Sequence, residues 1–387
     1  MKATPFWLMQ GFRPFFVGAG VWAALAMIHW LHLLAEHDAG TSALSPLQWH
    51  RHEMIFGYGG AALGGFLLTA IPNWTGRLPV RGLPLLALFS LWCAGRLANL
   101  ASAHLGATTA MLIDALYWAA LIATILRELL AGKNRRNLPV AGLVALVGIA
   151  STLDHTGVEW AWRLGLAAIL TLILLVGGRV IPSFTRNWLV KQQSETLPAP
   201  FATYDKIALA GGVVALLTWV IVPDEPVAGA FLIVASLLHA TRLARWKGAL
   251  TLREPLLTIL HVGYGWVVLG LFLTGLAVFL PSLPLSPVHA LTAGGVAVMT
   301  VAVMSRASLG HSGRELHAGP ALSTVYALIN LGAVLRVTAD LLPLRYDLSI
   351  NIAGAIWISG FLLYVAIFLP MWLRPRRAAS ARQTGIS

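Results

Sequence analysis

Long apolar runs, broken by short polar punctuation, fill the chain from residue 14 to residue 373. A helix that crosses a bilayer needs about 20 mostly apolar residues. The runs at 14–35, 49–71, 83–103, 108–130, 138–154, 159–181, 206–222, 227–246, 254–280, 286–306, 321–342 and 350–373 have that character. The pattern predicts an all-α, polytopic membrane protein of twelve transmembrane helices. Pro and Gly mark the connections, as in Pro198-Ala199-Pro200 and Pro281-Ser282-Leu283-Pro284. The first run has no small-residue cleavage site after a short apolar core, so it is expected to be a retained helix and not a signal peptide.

Composition narrows the class further. Of the 387 residues 58% are hydrophobic and 11% charged, against about 25% charged in a soluble domain. The mean hydropathy is +0.76. Soluble globules, disordered chains, collagen and disulfide scaffolds are excluded. The single cysteine, Cys93, leaves no intrachain disulfide and no motif for covalent haem attachment.

A net charge of +12 would point to nucleic acid in a soluble protein, but here the basic residues sort by loop. One alternate set of loops holds Lys2 and Arg13, Arg77 and Arg81, the groups from Arg127 to Arg136, Arg179 to Lys206 and Arg242 to Arg253, then Arg306, Arg314 and the tail from Arg374 to Arg382. The other set holds Arg51, Arg163 and Arg345 among acids such as Glu36, Asp38, Asp154 and Asp224. The positive-inside rule then predicts both termini in the cytoplasm. Lipid is the expected partner, and no nucleic acid is.

Related helix endings suggest an internal repeat. Ile71-Pro72-Asn73-Trp74-Thr75-Gly76-Arg77 resembles Ile181-Pro182-Ser183-Phe184-Thr185-Arg186 and Gly310-His311-Ser312-Gly313-Arg314. Aligning Arg77 with Arg314 gives 314 − 77 = 237, which also places His52 on His289. The Ile-Pro pairs give 181 − 71 = 110, which places Trp162 opposite His52. Three four-helix units are expected within one membrane domain, at about 10–130, 131–247 and 248–375.

Ionisable groups at membrane depth are costly and need a partner or a function. The densest group is Trp49-His50-Arg51-His52-Glu53. His50 and His52 are separated by about 200° around a helix, so they face different sides. Matched imidazoles at His52 and His289 would suit a flat cofactor such as haem bound from both faces; hydrogen bonding at the water interface is the plainer alternative. Arg96 and Arg336, each in an apolar setting on corresponding helices, would suit haem propionates, with Asp340 the alternative partner for Arg336. His239, His261 and His311 lie toward the opposite side and would suit copper or another borderline metal if they converge. Glu53 and Tyr264 are candidates for proton or electron transfer, and Asp114 is a second intramembrane acid. His29, His32, His37, His104, His155 and His317 read as interfacial. Tryptophans near helix ends, including Trp49, Trp246 and Trp372, read as an aromatic belt. The glycines from Gly57 to Gly65 read as a close-packing face.

These motifs together resemble the NnrS family. The resemblance rests on Gly11-Phe12-Arg13-Pro14-Phe15-Phe16, Trp49-His50-Arg51-His52-Glu53-Met54, Thr69 to Arg77, Arg135 to Pro139, Gly178 to Pro182, Leu252-Arg253-Glu254-Pro255 and Ser308 to Arg314. It implies a bacterial inner-membrane protein containing haem, expected as haem b, and copper, linked to denitrification and nitric oxide stress. His50, His52, Glu53, His239, His261, His289 and His311 fall on its recurring motifs, without a division between haem and copper ligands. A more distant likeness is to the catalytic subunit of haem-copper oxidases, but helix six carries no histidine and helix seven no His-His pair. Redox handling of nitric oxide, nitroxyl or iron-nitrosyl species is the leading expectation, which would require an electron donor that the sequence does not identify. A secondary transporter and a non-enzymatic nitric oxide or metal sensor are the alternatives.

Overall fold

A computed structural model describes residues 4–36 and 41–374. Lys2, Asp38, Arg376, Arg377 and Arg382, which enter the charge pattern above, and His37, read as interfacial, lie outside the described residues. The described residues form helices and connections, with no strand among them. Twelve helices are long and apolar enough to cross a membrane: α1 (Phe12–Ala35), α2 (Pro46–Thr75), α3 (Leu83–Leu100), α4 (Ala107–Ala131), α5 (Arg135–His155), α6 (Ala161–Lys191), α7 (Thr203–Ile221), α8 (Pro226–Ala244), α9 (Pro255–Phe279), α10 (Pro287–His311), α11 (Pro320–Val337) and α12 (Tyr346–Leu373).

Several starts follow from local chemistry. Pro46, Pro226, Pro255, Pro287 and Pro320 occupy first turns, where proline costs no helical hydrogen bond. Ser45 caps α2 by accepting from the Gln48 amide, and Glu254 caps α9 by accepting from the Leu256 amide. Gly76, at φ +69°, closes α2 in the left-handed conformation, which glycine adopts without a Cβ penalty. The main departure from the sequence expectation is α6. It continues past Pro182 to Lys191, so the second Ile-Pro motif lies within a helix.

Three helices make the interior. α2, α6 and α10 touch one another, and the other nine pack around them, chiefly against their sequence neighbours, with α12 closing onto α1. α2, α6, α9 and α10 bury between 56% and 72% of their apolar windows, the other eight between 33% and 44%. The exposed remainder is Leu-, Ile- and Val-rich, as lipid contact requires. Trp49, Trp246 and Trp372 belong to the packed core and not to an interfacial belt; their neighbours are other rings, such as Trp22, Tyr264 and Phe368.

Each inner helix contains a π-helical segment: Glu53–Tyr58 in α2, Ile173–Gly177 in α6 and Ala290–Val296 in α10. Such segments widen a helix locally and concentrate at functional sites. Those of α2 and α10 begin 290 − 53 = 237 residues apart, the same offset that aligns their sequences.

Candidate functional site

A cavity of about 290 Å³ lies among α1, α2, α6, α10, α11 and α12, on the side away from the N-terminus. His50 enters it from α2 and His289 from α10, with Arg336 from α11 and Arg51 at its edge. The His289 Nδ1 is 2.9 Å from the Ser286 hydroxyl, which fixes the ring and leaves Nε2 for another partner. His50 lies flat on Trp30, with ring centroids 4.3 Å apart and an 18° tilt. Its Nδ1 and the Arg336 Nη1 are buried without a hydrogen-bond partner. Apart from Tyr58 and Thr292 the rest of the wall is apolar, including Met54, Leu166, Val296 and Trp357. Two imidazoles, an unsatisfied guanidinium and an apolar slot form a donor set that fits an amphipathic macrocycle carrying carboxylates.

His52 does not line this cavity. It points to the other side of α2, where its Nδ1 stands 3.0 Å from Asp154 Oδ2 and its Nε2 3.6 Å from Asp114 Oδ2. The structure therefore brings together His50 and His289, not His52 and His289. Arg96 is likewise absent from the cavity. It bonds Glu53 Oε2 at 2.8 Å and also Asp114, so it is not free to meet a propionate. Arg336 has different surroundings. At the offset of 237, Glu53 falls on Ala290 and Asp114 on Asn351, while the two arginines stand 336 − 96 = 240 residues apart. Arg336 lines the cavity with a buried nitrogen that has no partner. Asp340 makes no ion pair with it.

Glu53 is the hub of a dry polar network. Its carboxylate accepts from Trp22 Nε1, Arg96 Nη1 and Asn99 Nδ2, each at 2.8 Å. Asp114 also accepts from the Ser151 hydroxyl at 2.7 Å, and Asp154 from Arg51 at 2.9 Å. Gly57 makes room for this packing: a Cβ there would meet Arg96, Glu53 and Trp22. His52, Asp114 and His155 each place a ligand-type atom within 4.8 Å of the others'. Asp154 and His155 were not among the sequence candidates; the signal was the adjacent Asp-His pair ending an apolar run.

A second cavity, of about 400 Å³, lies toward the C-terminal ends of the same three helices. Ile169 and Val296 line both cavities, and Tyr58, which lines the first, hydrogen-bonds Thr300, which lines the second. Only this layer divides them. The lower wall includes Phe66, Phe184, Met299 and His311.

The expected His239–His261–His311 metal trio does not assemble. His239 Nδ1 pairs with the Tyr264 hydroxyl at 2.7 Å, and Arg242 donates to the same oxygen while bonding Asp205. His261 Nε2 instead meets the Thr185 hydroxyl at 2.8 Å. Trp246 packs against both Tyr264 and His261. His311 is exposed at the mouth of the lower cavity. Tyr264 is fully buried and linked to His239 and Arg242, away from the lining of either cavity.

Fold and site define a multi-pass helical membrane protein with two cavities stacked among three inner helices, one of them lined by histidines. The family model of NnrS proteins matches residues 6–376. The chain belongs to the NnrS family. No curated protein matches it.

Proposed function

We propose that this protein is a haem-dependent component of the nitric oxide response, with haem b held in the upper cavity between His50 and His289. Family membership ties the chain to membrane proteins of that response. The observation that carries the haem reading is the joint presence, in one apolar cavity, of two imidazoles from facing helices and an arginine with an unpaired buried nitrogen. Arg336 would receive a propionate. Bound there, haem would supply reversible one-electron chemistry, and access of nitrogen oxides to its iron would require one of the two histidines to give way.

The chain's own residues do the rest. Ser286 orients His289, Trp30 holds the His50 ring flat, and Met54, Leu166 and Trp357 keep bulk water away. Nitric oxide is small and uncharged and enters from the bilayer, and the apolar lower cavity gives it a place to collect beneath the Tyr58–Thr300 layer. With both termini in the cytoplasm, as the basic loops imply, the haem would lie toward the periplasmic side of the inner membrane. The common π-segment offset of 237 supports an origin of the first and third units by duplication.

The test is an optical titration of purified, haem-reconstituted protein with nitric oxide. A low-spin Soret band that shifts on addition supports the reading. No haem uptake by folded protein would remove it and leave transport as the better use of the two cavities.

A further inference from the structure

We propose that the lower cavity is the binding site of a membrane quinol, the reductant that feeds electrons to the upper cavity. The inference rests on the haem reading for the electrons' destination and on the lower cavity's own residues for the ligand.

Nitric oxide alone does not account for the size of this space. At about 400 Å³ it falls within the range of about 300–1,000 Å³ that holds a ring-bearing organic molecule. Its walls are apolar from Ile169 and Val296 at the top to Phe66 and Phe184 further down. Thr69 and Thr300 also line it, but each gives its hydroxyl hydrogen to a carbonyl of its own helix. The polar atoms with something to offer a ligand stand together at the other end.

That end holds Asn73 and Trp74 from α2 and Arg306 and His311 from α10. Among the described residues, none of the four side chains enters a hydrogen bond or an ion pair; their contacts are with rings. The Arg306 guanidinium stands over the Phe184 ring, 3.8 Å from its centroid, and the lining holds neither Asp nor Glu to meet its charge. His311 touches Phe12 on one side, with ring centroids 6.0 Å apart. A matching ligand needs an apolar body, oxygens that accept from Arg306 and the Asn73 amide, and a hydroxyl that donates to a His311 nitrogen. A quinone head group alternates between carbonyl and hydroxyl oxygens and carries a hydrocarbon tail. An anionic phospholipid would also meet Arg306, but its phosphate diester has no hydrogen for His311, and that is the rival occupant.

Position supplies the redox half of the argument. Ile169 and Val296 line both cavities, so a reductant in the lower one is a single side-chain layer from the upper. Below their π segments α2 and α6 touch little. Leu63 and Phe66 on one, and Val176 and Val180 on the other, line the cavity and stay half-exposed. The gap between these halves is the route by which a tail would reach lipid, and it admits a donor that never leaves the membrane. Oxidation of one quinol to quinone breaks two O–H bonds and releases two electrons and two protons. The electrons pass singly to ferric haem, which accepts one in each of two turnovers. His311 takes a proton from the ring hydroxyl and, being exposed, returns it to water.

The experiment holds full-length, haem-loaded protein on a resin, equilibrates it with decylubiquinone in detergent, and quantifies retained quinone and haem on the same sample. Wild type is expected to keep one equivalent above the micelle background, and H104A, altered on the opposite side, should do the same. R306L should bind about 10–100-fold more weakly, the loss of one charge-assisted hydrogen bond, and R306K should recover part of it. A307F, which fills the cavity, should lose the quinone. Retained haem reports that each variant is folded. Anaerobic decylubiquinol should reduce the haem of wild type and not that of A307F, whereas dithionite reduces both. Haem-loaded wild type at micelle background, R306L and A307F that both retain quinone as wild type does, one equivalent of phosphatidylglycerol in the quinone's place, or quinol that binds without reducing haem would each overturn the proposal and leave the haem reading standing. Arg306-dependent quinone binding by folded protein that takes up no haem would instead strike the proposed function.

Discussion

Arg96→Met should be among the most damaging single substitutions in this protein. Arg96 is 2% exposed, and its two carboxylate partners, Glu53 and Asp114, are 0% and 1% exposed. Removing one member of a buried, hydrogen-bonded ion pair costs about 3–5 kcal/mol, chiefly because the remaining charge is stranded. Two are stranded here, which argues for the upper end. Trp22 and Asn99 still donate to Glu53, and Ser151 to Asp114, which keeps the cost from doubling. At about 1.4 kcal/mol per tenfold, the ratio of folded to unfolded protein should fall by roughly two to three and a half orders of magnitude. Reversible unfolding in mixed detergent–SDS micelles, followed by tryptophan fluorescence, reads this directly. The same account predicts compensation. Arg96→Met with Glu53→Gln and Asp114→Asn removes the stranded charges and should recover most of the loss. A single variant within about 1 kcal/mol of wild type, or a triple variant no better than the single, would refute the network argument.

Three further predictions follow the same logic. Gly57→Ala should destabilise by about 1–3 kcal/mol, the usual cost of overpacking, because its methyl group enters the space of Arg96, Glu53 and Trp22; the same unfolding assay checks it. Arg336→Leu should leave the fold intact and speed haem transfer to apomyoglobin, since it removes the unpaired guanidinium of the upper cavity; an unchanged transfer rate would separate Arg336 from the haem. Outside the membrane-spanning segments, Glu254 accepts from His317 Nδ1 at 2.7 Å and raises that imidazole's pKa above 6.5. Folded-state pKa above the unfolded one means the pair stabilises fully below 6.5 and loses its contribution as pH rises through the raised value. NMR titration of His317 should give a higher midpoint in wild type than in Glu254→Gln.

The twelve helices were legible because lipid leaves little choice: every run of about 20 apolar residues must satisfy its own backbone. Helix ends were less legible. α6 runs through Pro182 to Lys191, since a proline late in a membrane helix does not have to end it. The repeat offset located the right depth but not the right direction. His52 and His289 each stand immediately before a π segment, yet Asp114 and Asp154 draw His52 to the far side of α2. His289 and Arg336 instead face the cavity, whose lining includes no carboxylate. His50 was visible as a motif residue, and its two-residue spacing from His52 already required that the pair diverge. What sequence could not supply was which of the two meets α10, because that depends on how α2 is rotated against its six neighbouring helices. The His239–His261–His311 grouping failed for a related reason. Similar depth in the membrane is not adjacency, and Trp246 and Tyr264 pack where the metal would have to be.

The central claim is that His50 and His289 hold haem in the upper cavity. It is tested most directly by the reduced and oxidised optical spectra of purified protein and its His50→Ala, His289→Ala and His52→Ala variants, with haem quantified on the same samples. The account predicts a low-spin haem b spectrum in wild type, retained in His52→Ala and lost or converted to high spin in the other two. Equal, unaltered haem in His50→Ala and His289→Ala, or its selective loss from His52→Ala, would contradict it.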